Sequence, residues 1–119
     1  MTEIAKALYA FYSKFGIPAY TENSVPADEK LPYITYTLPQ SELFSAAVHQ
    51  VRVWYYGTDN EAVNAKADEI VSAIGRGIKL RAGDGLVCIY PGAGALVQMQ
   101  PSEETVRIAY INLQLRSYV

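Results

Sequence analysis

Apolar residues recur at two periods along this chain, and the change from one to the other divides it into helices and strands. Ile4, Leu8, Phe11 and Phe15 fall on one helical face. That spacing predicts an amphipathic helix over 2–15, with Thr2 as N-cap, Glu3 in the first turn and Gly16 at the C-terminal cap. Burying four such side chains at roughly 1.5–3 kcal/mol each would dock the helix, a far larger effect than its intrinsic propensity. A polar stretch through Lys30, with Asn23, Ser24, Pro26 and Asp28, reads as a surface loop.

Period-2 alternation follows. Tyr33 to Leu38 is β-branched and aromatic and lies between Pro32 and Pro39, which predicts a bounded strand. From Val48 to Tyr56, Val51, Val53 and Tyr55 alternate with Arg52, Trp54 and Tyr56, so one face enters a core and the other carries large amphipathic side chains outward. Thr58-Asp59-Asn60-Glu61 matches a capping box, with Thr58 as N-cap and Glu61 at the third helical position. The helix it opens, over 59–75, places Val63, Ala67, Ile70 and Ile74 inward and Asn60, Asn64, Asp68 and Ser72 toward water, and ends at Gly75 and Gly77.

The remainder reads as a meander: Ile78–Ala82, a Gly83-Asp84-Gly85 turn, Leu86–Tyr90, a loop over Pro91–Ala95, Leu96–Gln100, a turn at Pro101–Glu104, and Val106–Val119. The last segment alternates Ala109, Ile111, Leu113 and Leu115 with Tyr110, Asn112, Gln114 and Arg116, as a strand with one wet face does. The predicted fold is α+β, a mainly antiparallel sheet with two amphipathic helices (2–15 and 59–75) packed on it, in a single domain over 1–119.

Composition narrows the function. Half of the 119 residues are hydrophobic and 18% are charged, which excludes a disordered chain. The net charge is −2, and no run of Lys or Arg supplies a phosphate-neutralising patch, so direct nucleic-acid binding is not expected. No apolar stretch approaches the length of a membrane span, and a cytosolic protein is expected.

Candidate chemistry is sparse. His49 is the single histidine, and no serine or cysteine stands in a nucleophile-elbow context beside it, so it reads as a surface or strand-end residue. Cys88, within Leu86-Val87-Cys88-Ile89-Tyr90, reads as a core thiol. One His and one Cys do not make a zinc site, and Asp28-Glu29 and Glu103-Glu104 lack calcium-loop spacing. The Gly-rich segments lack the strand-to-helix context and the Lys-Ser/Thr pair of a phosphate loop. No catalytic residue, metal or cofactor is therefore expected. The ten tyrosines are the remaining signal, with Tyr20, Tyr56, Tyr110 and Tyr118 placed outward or near loops, where a ring can bury area and keep its hydroxyl wet. A tyrosine at the edge of the core explains such placement equally well.

The order of elements, with the phrases Leu31-Pro32-Tyr33-Ile34-Thr35-Tyr36 and Gln50-Val51-Arg52-Val53-Trp54-Tyr55 leading through Thr58-Asp59 into the second helix, resembles the tail-terminator or tail-completion proteins of long-tailed bacteriophages. The resemblance covers nearly the whole chain. It implies a non-catalytic α+β virion subunit of a phage or prophage that assembles with itself into a ring, often a hexamer. Such a ring caps the head-proximal end of the tail tube and joins it to the head, with the tail-tube protein and the head-completion or connector proteins as partners. Assembly would take place in the bacterial host cytoplasm, and the final location would be the virion tail or neck. On that reading the outward residues Arg52, Trp54, Tyr56, Tyr110, Asn112, Gln114 and Arg116, with the loop around Phe44, are the candidate subunit or tube contacts. The alternative is an accessory module that binds a small apolar ligand or a protein without catalysis, its tyrosines lining a pocket against the sheet.

Overall fold

The computed structural model describes residues 3–38, 43–57, 59–92, 97–103 and 105–118, with the backbone alone for 43–46 and 97–103. Helix α1 spans Glu3–Tyr12 and tightens into a 3-10 turn at Ser13–Phe15. Strands β1 (Ala19–Thr21), β2 (Tyr33–Tyr36) and β3 (Leu43–Tyr56) follow, then α2 (Glu61–Ile74). The chain closes with β4 (Ile78–Ala82), β5 (Gly85–Pro91), β6 (Val97–Glu103) and β7 (Val106–Tyr118). The class is the expected one, α+β with both helices on one side of a mainly antiparallel sheet.

The sheet order is β1-β2-β3-β7-β5-β4, with β6 also paired to β7. Its spine is the antiparallel β3–β7 pair, in register from Val48↔Gln114 to Tyr56↔Val106. Helix α2 packs across this spine, while α1 touches both β1 and β4, which lie near opposite edges. The sheet therefore curls around α1, and the core fills its concave side. Alternation selects the contributors: Val51 and Val53 from β3 and Ala109, Ile111, Leu113 and Leu115 from β7 meet Ile4, Leu8 and Phe11 of α1 and Val63, Ala67, Ile70 and Ile74 of α2.

Several elements depart from the sequence pattern. The segment Ala19–Thr21 pairs in parallel with β2, Ala19 opposite Ile34, inside what reads as a lead-in to a loop. Three residues are too few to display a period, so tertiary pairing alone makes this strand. The meander fails at its third step, because β5 and β6 both pair with β7 along the same edge, one after the other. Pro91 faces Leu113 and Val97 faces Ile111, so β5 and β6 run in the same direction along one edge of β7; most of the expected Pro91–Ala95 loop lies outside the described residues. Pro101 lies within β6 opposite Arg107, beside a register shift, as edge strands allow, and the turn shortens accordingly.

The start of α2 is also different. Its backbone cap is Asn60, and the carboxylate of Asp59 accepts the Glu61 N–H at 2.9 Å, so Glu61 opens the helix where a capping box would place it third. Thr2 and Thr58 lie outside the described residues. Gly16 closes the 3-10 turn with φ +83°, in the left-handed region that the cap reading requires.

Candidate interaction surface

The helices cover one side of the sheet, and among the described residues no element packs on the convex side. Strand parity assigns its residues: Tyr33 and Thr35 on β2; Val48, Gln50, Arg52, Trp54 and Tyr56 on β3; Tyr110, Asn112, Gln114, Arg116 and Tyr118 on β7. Val106 and the buried Ile108 on β7, Leu86, Cys88 and Tyr90 on β5, and Lys79 and Arg81 on β4 share it, and register links these into cross-strand rows. Seven of the eight candidate contact residues lie here. Phe44 falls on β3, but its side chain is outside the described set.

The centre of this face is a fixed polar lattice. Arg52 stands opposite Tyr110 with its guanidinium 5.2 Å from the ring centroid, and it donates to Gln50 Oε1 at 3.1 Å. Gln50 in turn donates through Nε2 to Asn112 Oδ1 at 3.1 Å. Toward β2, Trp54 Nε1 donates to the buried Thr35 Oγ1 at 3.0 Å, and its ring lies 5.8 Å from that of Tyr33. Tyr33 meets Tyr20 edge-on at 6.2 Å, and the Tyr20 hydroxyl donates to the Glu29 carboxylate, which raises the Tyr20 pKa. These contacts hold large side chains in fixed rotamers before any partner arrives, which lowers the ordering cost of an interface.

Around that lattice stand exposed apolar groups: Val48 at 72%, Tyr56 at 62%, Tyr118 at 42% and Leu86 at 39% relative accessibility. Val48 and Leu86 are absent from the candidate contacts, although each follows from continuing the alternation of its own strand. Lys79 and Arg81, exposed beside the half-buried Ile78 and Leu80, were legible in the same way.

Two residues sit elsewhere than the sequence reading placed them. Cys88 is half-buried on this convex face, because its neighbours Val87 and Ile89 take the inward positions of β5. It is not a core thiol. His49, expected at the surface or a strand end, is 1% exposed and shares the inward parity of Val51 and Val53. Its Nε2 lies 2.7 Å from the Tyr12 hydroxyl, and its Nδ1 faces Thr37 Oγ1 at 3.4 Å. The ring sits beside stacked Tyr12 and Tyr36, and burial pushes the imidazole pKa down to about 4. A neutral imidazole that carries its proton on Nδ1 can accept from Tyr12 at Nε2, and so serves the core as a hydrogen-bonded polar group.

One cavity opens beside β1. Ala5 and Tyr9 of α1, Ala19, Tyr20 and Thr21 of β1, Ser24 and Tyr36 line a mostly apolar recess of about 180 Å³. Among the described residues no three of His, Cys, Asp and Glu gather in a geometry for a metal ion. No helix among them is long and apolar enough to cross a membrane. No protein-family model, no curated protein and no solved structure matches the chain.

Proposed function

We propose that this chain is a structural subunit of a phage or prophage tail, which assembles with copies of itself into a ring that caps the head-proximal end of the tail tube and joins it to the head. The observation that carries the reading is the convex sheet face. A face built from Arg, Tyr, Trp, Gln and Asn in fixed cross-strand contacts, ringed by exposed Val48, Leu86, Tyr56 and Tyr118, has the composition of a protein interface. Of the phrases that carry the resemblance to tail-terminator proteins, Tyr33 to Tyr36 forms β2 and Gln50 to Tyr55 is the middle of the β3–β7 spine.

Size is compatible with a ring. The chain exposes 6858 Å², and a subunit that gives about 800 Å² to each of two neighbours would bury roughly a quarter of that. Native mass spectrometry and negative-stain microscopy of the protein, alone and with the tail-tube protein of the same phage, test the reading. Closed rings, free or seated on tube ends, are the expected result. A monomer at high concentration under both conditions overturns it.

The recess beside β1 favours a second reading, an accessory module that takes a small apolar group. Its volume of about 180 Å³ is below the roughly 300–1,000 Å³ of sites for drug-sized ligands, so it suits one ring-sized group. Chemical-shift changes confined to Ala5, Tyr9 and Ala19 on adding a small phenol, with no self-association, would favour that reading over the ring.

A further inference from the structure

We infer that the head-to-tail contact of the assembled protein seats the outward face of α2 from one subunit across the convex sheet face of the next, over the β4–β5–β7 end. This deepens the ring reading and rests on it.

Charge is the first observation. The described side chains on the convex strand face include Arg52, Lys79, Arg81 and Arg116 and no Asp or Glu. Helix α2, on the other side of the sheet, supplies the complement. Helix α2 buries Val63, Ala67, Ile70 and Ile74 and turns Glu61, Ala65, Asp68 and Ser72 outward, flanked by exposed Asp59 and Glu69. Its one lysine, Lys66, is drawn away from this face by its bonds to the Phe15 carbonyl at 2.7 Å and Glu69 at 3.0 Å.

Spacing is the second. Lys79, Cys88 and Arg116 form one cross-strand row on β4, β5 and β7. Two strand separations put the backbone positions of Lys79 and Arg116 about 10 Å apart. Glu61 and Asp68 are seven residues apart on one side of α2, a rise of about 10.5 Å. A helix laid across the strands therefore places Glu61 and Asp68 over Lys79 and Arg116, in either direction, with Ala65 over Cys88. The two patches are different surfaces, so the contact is heterologous and each subunit offers one of each.

Two charge-reversed proteins test this. Lys79→Glu/Arg116→Glu alters only the sheet row, and Glu61→Lys/Asp68→Lys only the helix; all four positions are exposed, and circular dichroism checks that each variant folds. Each variant alone should assemble at least tenfold more weakly than the native chain, and an equimolar mixture should regain assembly, because each then offers the other a complementary pair. A disulfide gives a readout independent of affinity. Ala65→Cys, oxidised with copper phenanthroline, should link to Cys88 of neighbouring subunits and give a ladder beyond dimer. Ala65→Cys/Cys88→Ser should not pass dimer.

Native rings that persist in both reversed variants, with no ladder, would overturn the contact and leave the ring reading standing. A native chain that stays monomeric alone and with the tail-tube protein would overturn both. So would a monomer that binds a single-stranded oligonucleotide through the Lys79 and Arg116 row, which would mark the face as a nucleic-acid surface. Dimers of the native chain linked through Cys88 alone would replace the heterologous contact with a sheet-to-sheet one.

Discussion

His49 carries the sharpest consequence at the scale of single residues. Its folded pKa, about 4, lies below the ordinary value of 6.5, so the unfolded chain binds this proton more readily. The stability it secures is complete above about pH 6.5 and is lost as pH falls through the window from 6.5 to 4. The full effect is on the order of 3 kcal/mol. Denaturant unfolding at pH 7 and pH 4.5 should show this loss, and His49→Gln should flatten the dependence while keeping a polar partner for Tyr12. Tyr12→Phe removes the hydroxyl that meets Nε2 and leaves a buried acceptor unpaired, which should cost about 1–3 kcal/mol at pH 7. Parity with Val51 and Val53 already placed His49 inside. The polar neighbour Gln50 and the lack of a visible partner hid that signal, since Tyr12 is 37 residues away in sequence.

Among the elements, what could be read from the sequence follows from the distance over which each is specified. The bounds of β4 and β7 agree with the alternation almost residue for residue, because a strand with one wet face writes its period into its own residues. Strand β1 and the double pairing of β7 with β5 and β6 depend on partners far along the chain, which no local period encodes. The convex face was half legible for the same reason. Arg52, Trp54 and Tyr110 follow from parity within a strand, whereas the row Lys79–Cys88–Arg116 requires knowing which strands are neighbours. The end of α1 supplies two tests of local specification. Gly16 has φ +83° and no atom within 4 Å of an added Cβ, so Gly16→Ala should cost about 1–2 kcal/mol in thermal unfolding through backbone strain alone. Lys66 joins the Phe15 carbonyl to α2, and Lys66→Met should cost about 1 kcal/mol and raise amide exchange across Ser13–Phe15.

At the scale of the whole molecule, the sheet separates a face whose described charged side chains are all cationic from an acidic helix on its other side. A protein of net charge −2 should repel its own copies weakly and uniformly; this one sets a cationic strand face against an acidic helix. Attraction between such faces acts through exposed groups, and salt weakens it as the screening length falls from about 10 Å at 0.1 M to about 3 Å at 1 M. Apolar contacts through Val48, Leu86 and Tyr118 respond in the opposite direction or hardly at all. Self-association measured by sedimentation should therefore weaken between 0.05 and about 0.5 M sodium chloride for the native chain. The mixture of Lys79→Glu/Arg116→Glu with Glu61→Lys/Asp68→Lys should follow the same slope, since its contacts alternate between native and reversed charge pairs, equal in number. An association that strengthens with salt would place the contact on the apolar rim, and the charged row would then have no part in it.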